Sequence, residues 1–188
     1  MPSNHFFALM LPDEVSAYAT QVRENWRGQV SPESRAVWQK TGDFHITLCF
    51  PGTIDEGART GWREAVQPVA AQTGPLSVTL AAPSTFNQGR ILFVGVQKTP
   101  ELTALASHLE QAMSALGYAP ETRAYTPHIT LARSVRPPTL AEPEYEHTFP
   151  KWTASEFVLL QTLPPERRPN PGDLRYTIVH SFPFRQTK

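Results

Sequence analysis

Cysteine is nearly absent: Cys49 stands alone in 188 residues. One thiol excludes an intramolecular disulfide and a thiolate metal cluster. Long hydrophobic runs are missing too. The apolar run from Phe6 to Leu11 is short, has no basic start and is followed by Pro12-Asp13-Glu14, unlike a signal segment. No stretch approaches the roughly 20 apolar residues of a membrane span. The expectation is a soluble, cytoplasmic chain with no membrane partner. An excess of either charge is also missing, with 17 basic and 17 acidic residues. Without excess positive charge a general nucleic-acid coat is not expected, although a local basic patch is.

What is present argues for a folded chain. Hydrophobic residues make up 40% and charged residues 18%, which excludes a disordered composition. The length fits one domain over residues 1–188 with two lobes, and no obligate partner is evident, so a monomer is expected. Of the 19 prolines many lie in Arg136–Pro150 and Leu163–Pro171, which read as ordered loops.

One four-residue string occurs twice. His45-Ile46-Thr47-Leu48 returns as His128-Ile129-Thr130-Leu131. Each reads as a short strand, where alternate side chains share a face. His45 and Thr47 then face a groove while Ile46 and Leu48 face a core, and His128 and Thr130 oppose Ile129 and Leu131 in the same way. Cys49 has the parity of His45 and Thr47. It reads as a packed residue ahead of a nucleophile.

The flanks give each copy a similar scaffold. His5–Leu11 reads as a strand, and a helix follows from Pro12 to Gly28 with Val15, Tyr18, Ala19, Val22 and Trp26 on one face. Ala36–Trp38 reads as a strand, and Phe44–Phe50 as the first motif strand, stopped by Pro51-Gly52. Asp55–Ala71 reads as a helix, Pro75–Phe86 as a strand, Asn87-Gln88-Gly89 as a turn and Ile91–Val96 as a buried strand. A helix begins at Thr99-Pro100-Glu101, a cap, a first-position proline and an acid, and ends at Gly117. The second motif follows, then a connection over Arg133–Pro150 and strands over Phe157–Leu163 and Leu174–Phe182. Strand, helix and motif thus recur, with 39 residues from strand to histidine in one half (6 to 45) and 37 in the other (91 to 128). The pattern is that of a duplicated strand–helix–strand unit with a pseudo-two-fold axis.

Histidine exchanges protons near neutral pH without tuning. Two of them suit in-line displacement at phosphorus, one taking a proton from the attacking oxygen and one giving a proton to the leaving oxygen. Threonine hydroxyls beside them can hold the non-bridging oxygens. This chemistry needs no metal and no cofactor, and it suits a strained cyclic phosphodiester. A metal site would need a third ligand. Asp43 is the near candidate, and that reading ranks low because it leaves the threonines without a role. Either histidine alone would more often be structural; the repetition reverses that balance.

Both motifs and their flanks resemble the two-histidine (2H) phosphoesterases, and within them the LigT-type RNA 2′,3′-cyclic phosphodiesterases, or 2′-5′ RNA ligases. The resemblance runs through Phe6-Phe7-Ala8-Leu9, Leu11-Pro12, Trp38, His45 to Gly52, Gly89 to Val96, Leu116-Gly117-Tyr118, Glu121-Thr122-Arg123 and Tyr125 to Arg133. It implies an α+β, bilobal fold in which two antiparallel sheets flank a central cleft. It also implies opening of RNA 2′,3′-cyclic phosphate ends to 2′-phosphomonoesters, with reversible, ATP-independent 2′-5′ joining of RNA ends. By the family mechanism His45 is the acid on O3′ and His128 the base on water; the sequence itself is symmetric. Thr47 and Thr130 hold the phosphate, and Arg133 matches the family arginine that contacts it. Simple alternation puts Arg133 on the opposite face, so a twist or a strand end must turn it inward. The acid–base pair implies a bell-shaped pH–rate profile near neutrality. Two departures, His5 in place of a common arginine and Phe50-Pro51-Gly52 in place of Phe-Leu-Gly, bear on the cleft rim.

Phe86, Tyr125 and Trp152 are candidates to stack a flanking base. Expected partners are RNA ends or small cyclic nucleotides. Two alternatives stand beside the enzyme: a non-catalytic RNA-end binding module, and a phosphodiesterase for another cyclic or 2′-5′ nucleotide.

Overall fold

Alternating apolar runs become nine strands, and the three amphipathic stretches become helices. The computed structural model describes residues 3–54, 56–136, 142–168, 170 and 172–186. In chain order the elements are β1 (Ser3–Met10), α1 (Asp13–Gln29), β2 (Val37–Trp38), β3 (His45–Ile54), α2 (Arg59–Gln72), β4 (Leu76–Phe86), β5 (Ile91–Val96), α3 (Pro100–Ala115), β6 (His128–Arg133), β7 (Lys151–Ala154), β8 (Glu156–Thr162) and β9 (Tyr176–Pro183). Residue 55, expected to open the second helix, lies outside the described residues. So do residues 137–141, 169 and 171 of the proline-rich connections.

The strands form one antiparallel path, β7-β4-β5-β6-β3-β1-β8-β9, with β2 also on β6. The path divides into two four-stranded halves that are pseudo-symmetric in order. Each runs outward from a motif strand, β3 or β6, to the strand that precedes it, β1 or β5. The two antiparallel sheets expected from the sequence are therefore continuous, joined where Ile46 pairs with Ile129. β2 lies on the same edge of β6 as β3, with Val37 opposite Arg133 and Trp38 opposite Ala132. A 3-10 turn, Thr41–Asp43, interrupts this edge between β2 and β3.

Each helix turns its apolar stripe toward one face of the sheet. Val15, Val22 and Trp26 of α1, Trp62 and Val66 of α2, and Leu102, Leu105 and Leu109 of α3 share a core with Phe7, Leu9, Ile46 and Ile129. Burial of such side chains stabilises the fold by about 1.5–3 kcal/mol each. The first helix packs on the second motif strand and the third helix on the first, so the helices bind the halves together. Thr99 caps α3 by accepting from Leu102 N–H at 3.2 Å. Gly117, at φ +88°, ends the helix, with Tyr118 N–H returning to the Met113 carbonyl. On the opposite face Phe6, Ala8, Val158 and Leu160 form a smaller cluster with Met10 and Tyr176.

One expectation needs correction. Pro51-Gly52 does not stop the first motif strand, which runs on to Ile54. Both residues fall where the β1–β3 register shifts between His5–Gly52 and Phe7–Cys49, and Gly52 takes φ +100°. At a bulge the ladder is already interrupted, so a residue without N–H is tolerated. Lys151–Ala154, which the sequence pattern does not mark as an element, is an edge strand on β4.

Candidate active site

The Ile46–Ile129 pair fixes how the motifs meet. Both isoleucines are fully buried on the helix face. Their neighbours His45, Thr47, His128 and Thr130 therefore point to the other face. Antiparallel register sets His45 across from Thr130 and Thr47 across from His128. Two imidazoles and two hydroxyls thus form one array, each imidazole beside the partner strand's hydroxyl. Tyr125, three residues before His128, adds a second tie: its hydroxyl donates to the Thr47 carbonyl at 3.2 Å.

Both motif strands carry the same irregularity just past the threonine. On β3, Phe7 pairs with Cys49 but Ala8 with Thr47, leaving Leu48 as the extra residue. On β6, Phe93 pairs with Thr130 but Leu92 with Ala132, leaving Leu131 as the extra residue. Leu48 and Cys49 are both buried in the main core, and so are Leu131 and Ala132. The bulges flip the alternation. Cys49 consequently faces the core, against its parity in the sequence, and burial raises its thiol pKa. Arg133 turns onto the Thr130 face and donates from Nη2 to Thr130 Oγ1 at 3.2 Å. A bulge just before the end of the strand accounts for the orientation of Arg133. In the other half the equivalent residue is Phe50, which stacks on Phe6 at 5.8 Å and is 54% exposed.

The two imidazoles are held alike. His45 Nδ1 lies 2.7 Å from the Asp43 carbonyl, and His128 Nδ1 lies 2.7 Å from the Thr126 carbonyl. A carbonyl only accepts, so each Nδ1 carries a proton and each Nε2 is the atom left to exchange one. Aromatic rings flank both. Phe6 and Tyr176 lie 4.9 and 5.0 Å from the His45 ring. Phe86 and Phe93 lie 4.9 and 5.4 Å from the His128 ring. Burial among these rings lowers the pKa of His45 from 6.5 to about 4, helped by the charges of Arg133 and His128 and opposed by the Asp43 carbonyl. Burial also lowers the pKa of His128, helped by Arg133 and opposed by the Thr126 carbonyl. Both imidazoles are neutral at pH 7 in the empty cleft.

Of the three aromatic candidates, Phe86 reaches the site, stacked 4.0 Å from Phe93 and edge-on to His128. Tyr125 is at the site as the tie between motifs, with its ring packed on the main core. Trp152 is on β7, three strands from β6, and packs on the main core, so it does not reach the histidines. Phe6, Phe50, Phe93 and Tyr176 are site residues that the sequence reading missed. For Phe50 the signal existed, because it holds the place in the first motif that Arg133 holds in the second. For Tyr176 there was none. His5 is buried on the helix face beside Trp62, with Arg59 Nε donating to its Nε2 at 3.1 Å. It therefore lies away from the cleft rim.

The Asp43 carboxylate accepts from the backbone N–H groups of Arg175 and Tyr176. Its Oδ1 is thus engaged by the backbone at the start of β9. Among the described residues no three His, Cys, Asp or Glu side chains converge as a metal site requires. Among the described residues no helix is long and apolar enough to cross a membrane.

A family model described as the 2′-5′ RNA ligase superfamily matches residues 11–164. The chain belongs to this superfamily. It is 30% identical over 190 residues to an RNA 2′,3′-cyclic phosphodiesterase of Geobacillus stearothermophilus, covering 97% of this chain and 57% of that protein. It is 32% identical over 99 residues to the Bacillus subtilis (strain 168) protein of the same name, covering 51% and 54%. The matches thus span just over half the length of these curated relatives. Among solved structures, E. coli LigT complexed with 3′-AMP aligns with a TM-score of 0.77 at 23% identity, covering 99% of this chain and 100% of that one. A Thermus thermophilus protein aligns with a TM-score of 0.79 at 22% identity, covering 97% and 98%. At those identities the likeness establishes a shared fold, the mixed α/β architecture with its curled antiparallel sheet.

Proposed function

We propose that this superfamily member hydrolyses RNA 2′,3′-cyclic phosphate ends to 2′-phosphomonoesters by metal-free catalysis with His45 and His128. The observation that carries this reading is the matched pair of imidazoles, each held by its Nδ1 with Nε2 free, beside two hydroxyls and Arg133. Water attacks phosphorus and gives its proton to His128 Nε2. The P–O3′ bond breaks, and the His45 imidazolium gives its proton to O3′. Thr47, Thr130 and Arg133 hold the non-bridging oxygens, whose charge grows in the transition state. Phe86 and Phe50 offer faces to the flanking bases.

Because both pKa values are lowered in the empty cleft, the acid takes up its proton from solvent when the substrate anion binds. A bound phosphodiester anion offsets the charge of Arg133 and raises the imidazole pKa values again. With an RNA 5′-hydroxyl in place of water, the same groups open the cyclic phosphate at P–O3′ without ATP and leave the 2′-5′ linkage for which the superfamily is named; the reverse of that step cleaves the linkage. The test is to treat the protein with EDTA, supply an RNA oligonucleotide ending in 2′,3′-cyclic phosphate and identify the product. A 2′-phosphate formed at undiminished rate is expected. A 3′-phosphate, no product over hours, or loss of activity with EDTA would contradict the reading.

A further inference from the structure

The wall behind His45 comes from the far end of the chain, and Asp43 holds it there. Tyr176, at the start of β9, sets its ring against His45 with centroids 5.0 Å apart and planes at 85°. Asp43 is only 4% exposed. Its Oδ1 accepts from Arg175 N–H at 2.8 Å and from Tyr176 N–H at 3.2 Å. The backbone carbonyl of the same residue accepts His45 Nδ1–H at 2.7 Å. Two more contacts close the junction. The Lys40 ammonium donates to the Asp173 carbonyl. Leu174 covers Gly42 so closely that a Cβ there would come within 2.9 Å of its side chain.

His128 has no such arrangement. Thr126, whose carbonyl holds its Nδ1, is exposed, and the Thr126 hydroxyl turns back to the Ala124 carbonyl at 3.4 Å. The rings beside His128 both belong to β4 and β5, adjacent strands joined by a tight turn.

We propose that Asp43 is a positioning residue that clamps the His45 imidazole and Tyr176 into one unit, keeping His45 aimed into the cleft and shielded from water. This rests on the reading that His45 transfers a proton in the reaction. Asp43 acts through His45 and Tyr176 and does not touch the substrate. Its side chain has to supply an acceptor for two main-chain N–H groups, and a carboxamide oxygen can do that as well as a carboxylate. Asp43→Asn therefore keeps the clamp, and Asp43→Ala removes it.

The test is an NMR titration of the His45 and His128 rings in the wild type and both variants, beside kcat and KM on RNA ending in 2′,3′-cyclic phosphate. The charged groups around the junction, Lys40 and Arg175 near Asp43 and Arg133 and His128 near His45, are unchanged by the substitutions. In Asp43→Ala, water reaches His45 and its titration moves up from about 4 toward 6.5, while that of His128 stays. A general loss of structure would move both. kcat falls by about tenfold to a hundredfold, with KM changed less. Asp43→Asn stays close to the wild type. An Asp43→Ala protein whose His45 titration and kcat match the wild type overturns the proposal. Should Asp43→Ala not fold, Tyr176→Ala removes the ring and leaves the clamp, and the same selective rise at His45 is expected; its absence overturns the proposal. The rings titrate whether or not the protein is an enzyme. A wild type inactive on the RNA but with the expected His45 shift refutes the activity and not the clamp.

Discussion

The two motif strands share four residues, a bulge and the same hold on each imidazole, and they differ at the sixth position. One half presents Arg133 there and the other Phe50. The outer strands differ in the same sense. Beyond His45 the cleft-side cluster is apolar, with Phe6, Val158, Leu160 and Tyr176. Beyond His128, Ser77 and Thr79 of β4 pair with Thr153 and Lys151 of β7 on the face away from the core. On the proposed mechanism the repeated motif supplies two equivalent proton-transfer groups. The difference between the halves places a cationic side chain on one side and an apolar surface on the other.

The comparison can be broken most sharply at the sixth position. Arg133→Ala should lower kcat/KM by about a hundredfold, the value of a lost charge-assisted hydrogen bond to a phosphoryl oxygen. Arg133→Lys should recover only part, because an ammonium lacks the planar fork of guanidinium. Wild-type activity in Arg133→Ala would remove the phosphate-binding role from this half.

The next effect is on pH. The proposed mechanism needs one imidazole protonated and one neutral. Toward low pH both carry protons and the base is lost; toward high pH both are neutral and the acid is lost. Both are lowered from 6.5 in the empty cleft, so the bell in kcat/KM should lie below pH 6.5. It should decline by about tenfold per pH unit on each side. The sequence alone places the bell near neutrality, and burial of the two rings moves that expectation to lower pH for kcat/KM. The profile of kcat, set in the complex with the phosphate anion, should lie higher. A kcat/KM optimum above about pH 7 would contradict the burial of the two rings.

Phe50→Ala should raise KM by about tenfold through lost stacking, with kcat little changed. An unchanged KM would leave the apolar half without a share in substrate binding. The smallest effect is expected at Tyr125→Phe, which removes the hydroxyl tie between the halves. Thermal or urea denaturation should register a loss of about 1 kcal/mol.

The histidines and threonines were legible because a strand's period of two sorts four residues onto two faces whatever the partner. Simple alternation puts Arg133 and Cys49 on the wrong faces, because a bulge depends on the register with a neighbouring strand, here β5 for Arg133 and β1 for Cys49. The helices were readable from their stripes, since Leu102, Leu105 and Leu109 need no partner to define a face. Lys151–Ala154 was not, because four residues with a charge at one end become a strand only by pairing with Leu76–Thr79. The clamp at His45 was invisible for the same reason. Asp43 and Tyr176 meet across 133 positions, and nothing local in either segment announces the other.

The account rests on two imidazoles acting as one unit across a single strand pairing. Its most direct test is the rate of 2′,3′-cyclic phosphate opening by His45→Ala, His128→Ala and the double variant, each shown to be folded. Each single substitution should reduce the rate by about a thousandfold, and the double variant should be little worse than either alone. A single variant within about tenfold of the wild type, or losses that multiply in the double variant, would contradict it.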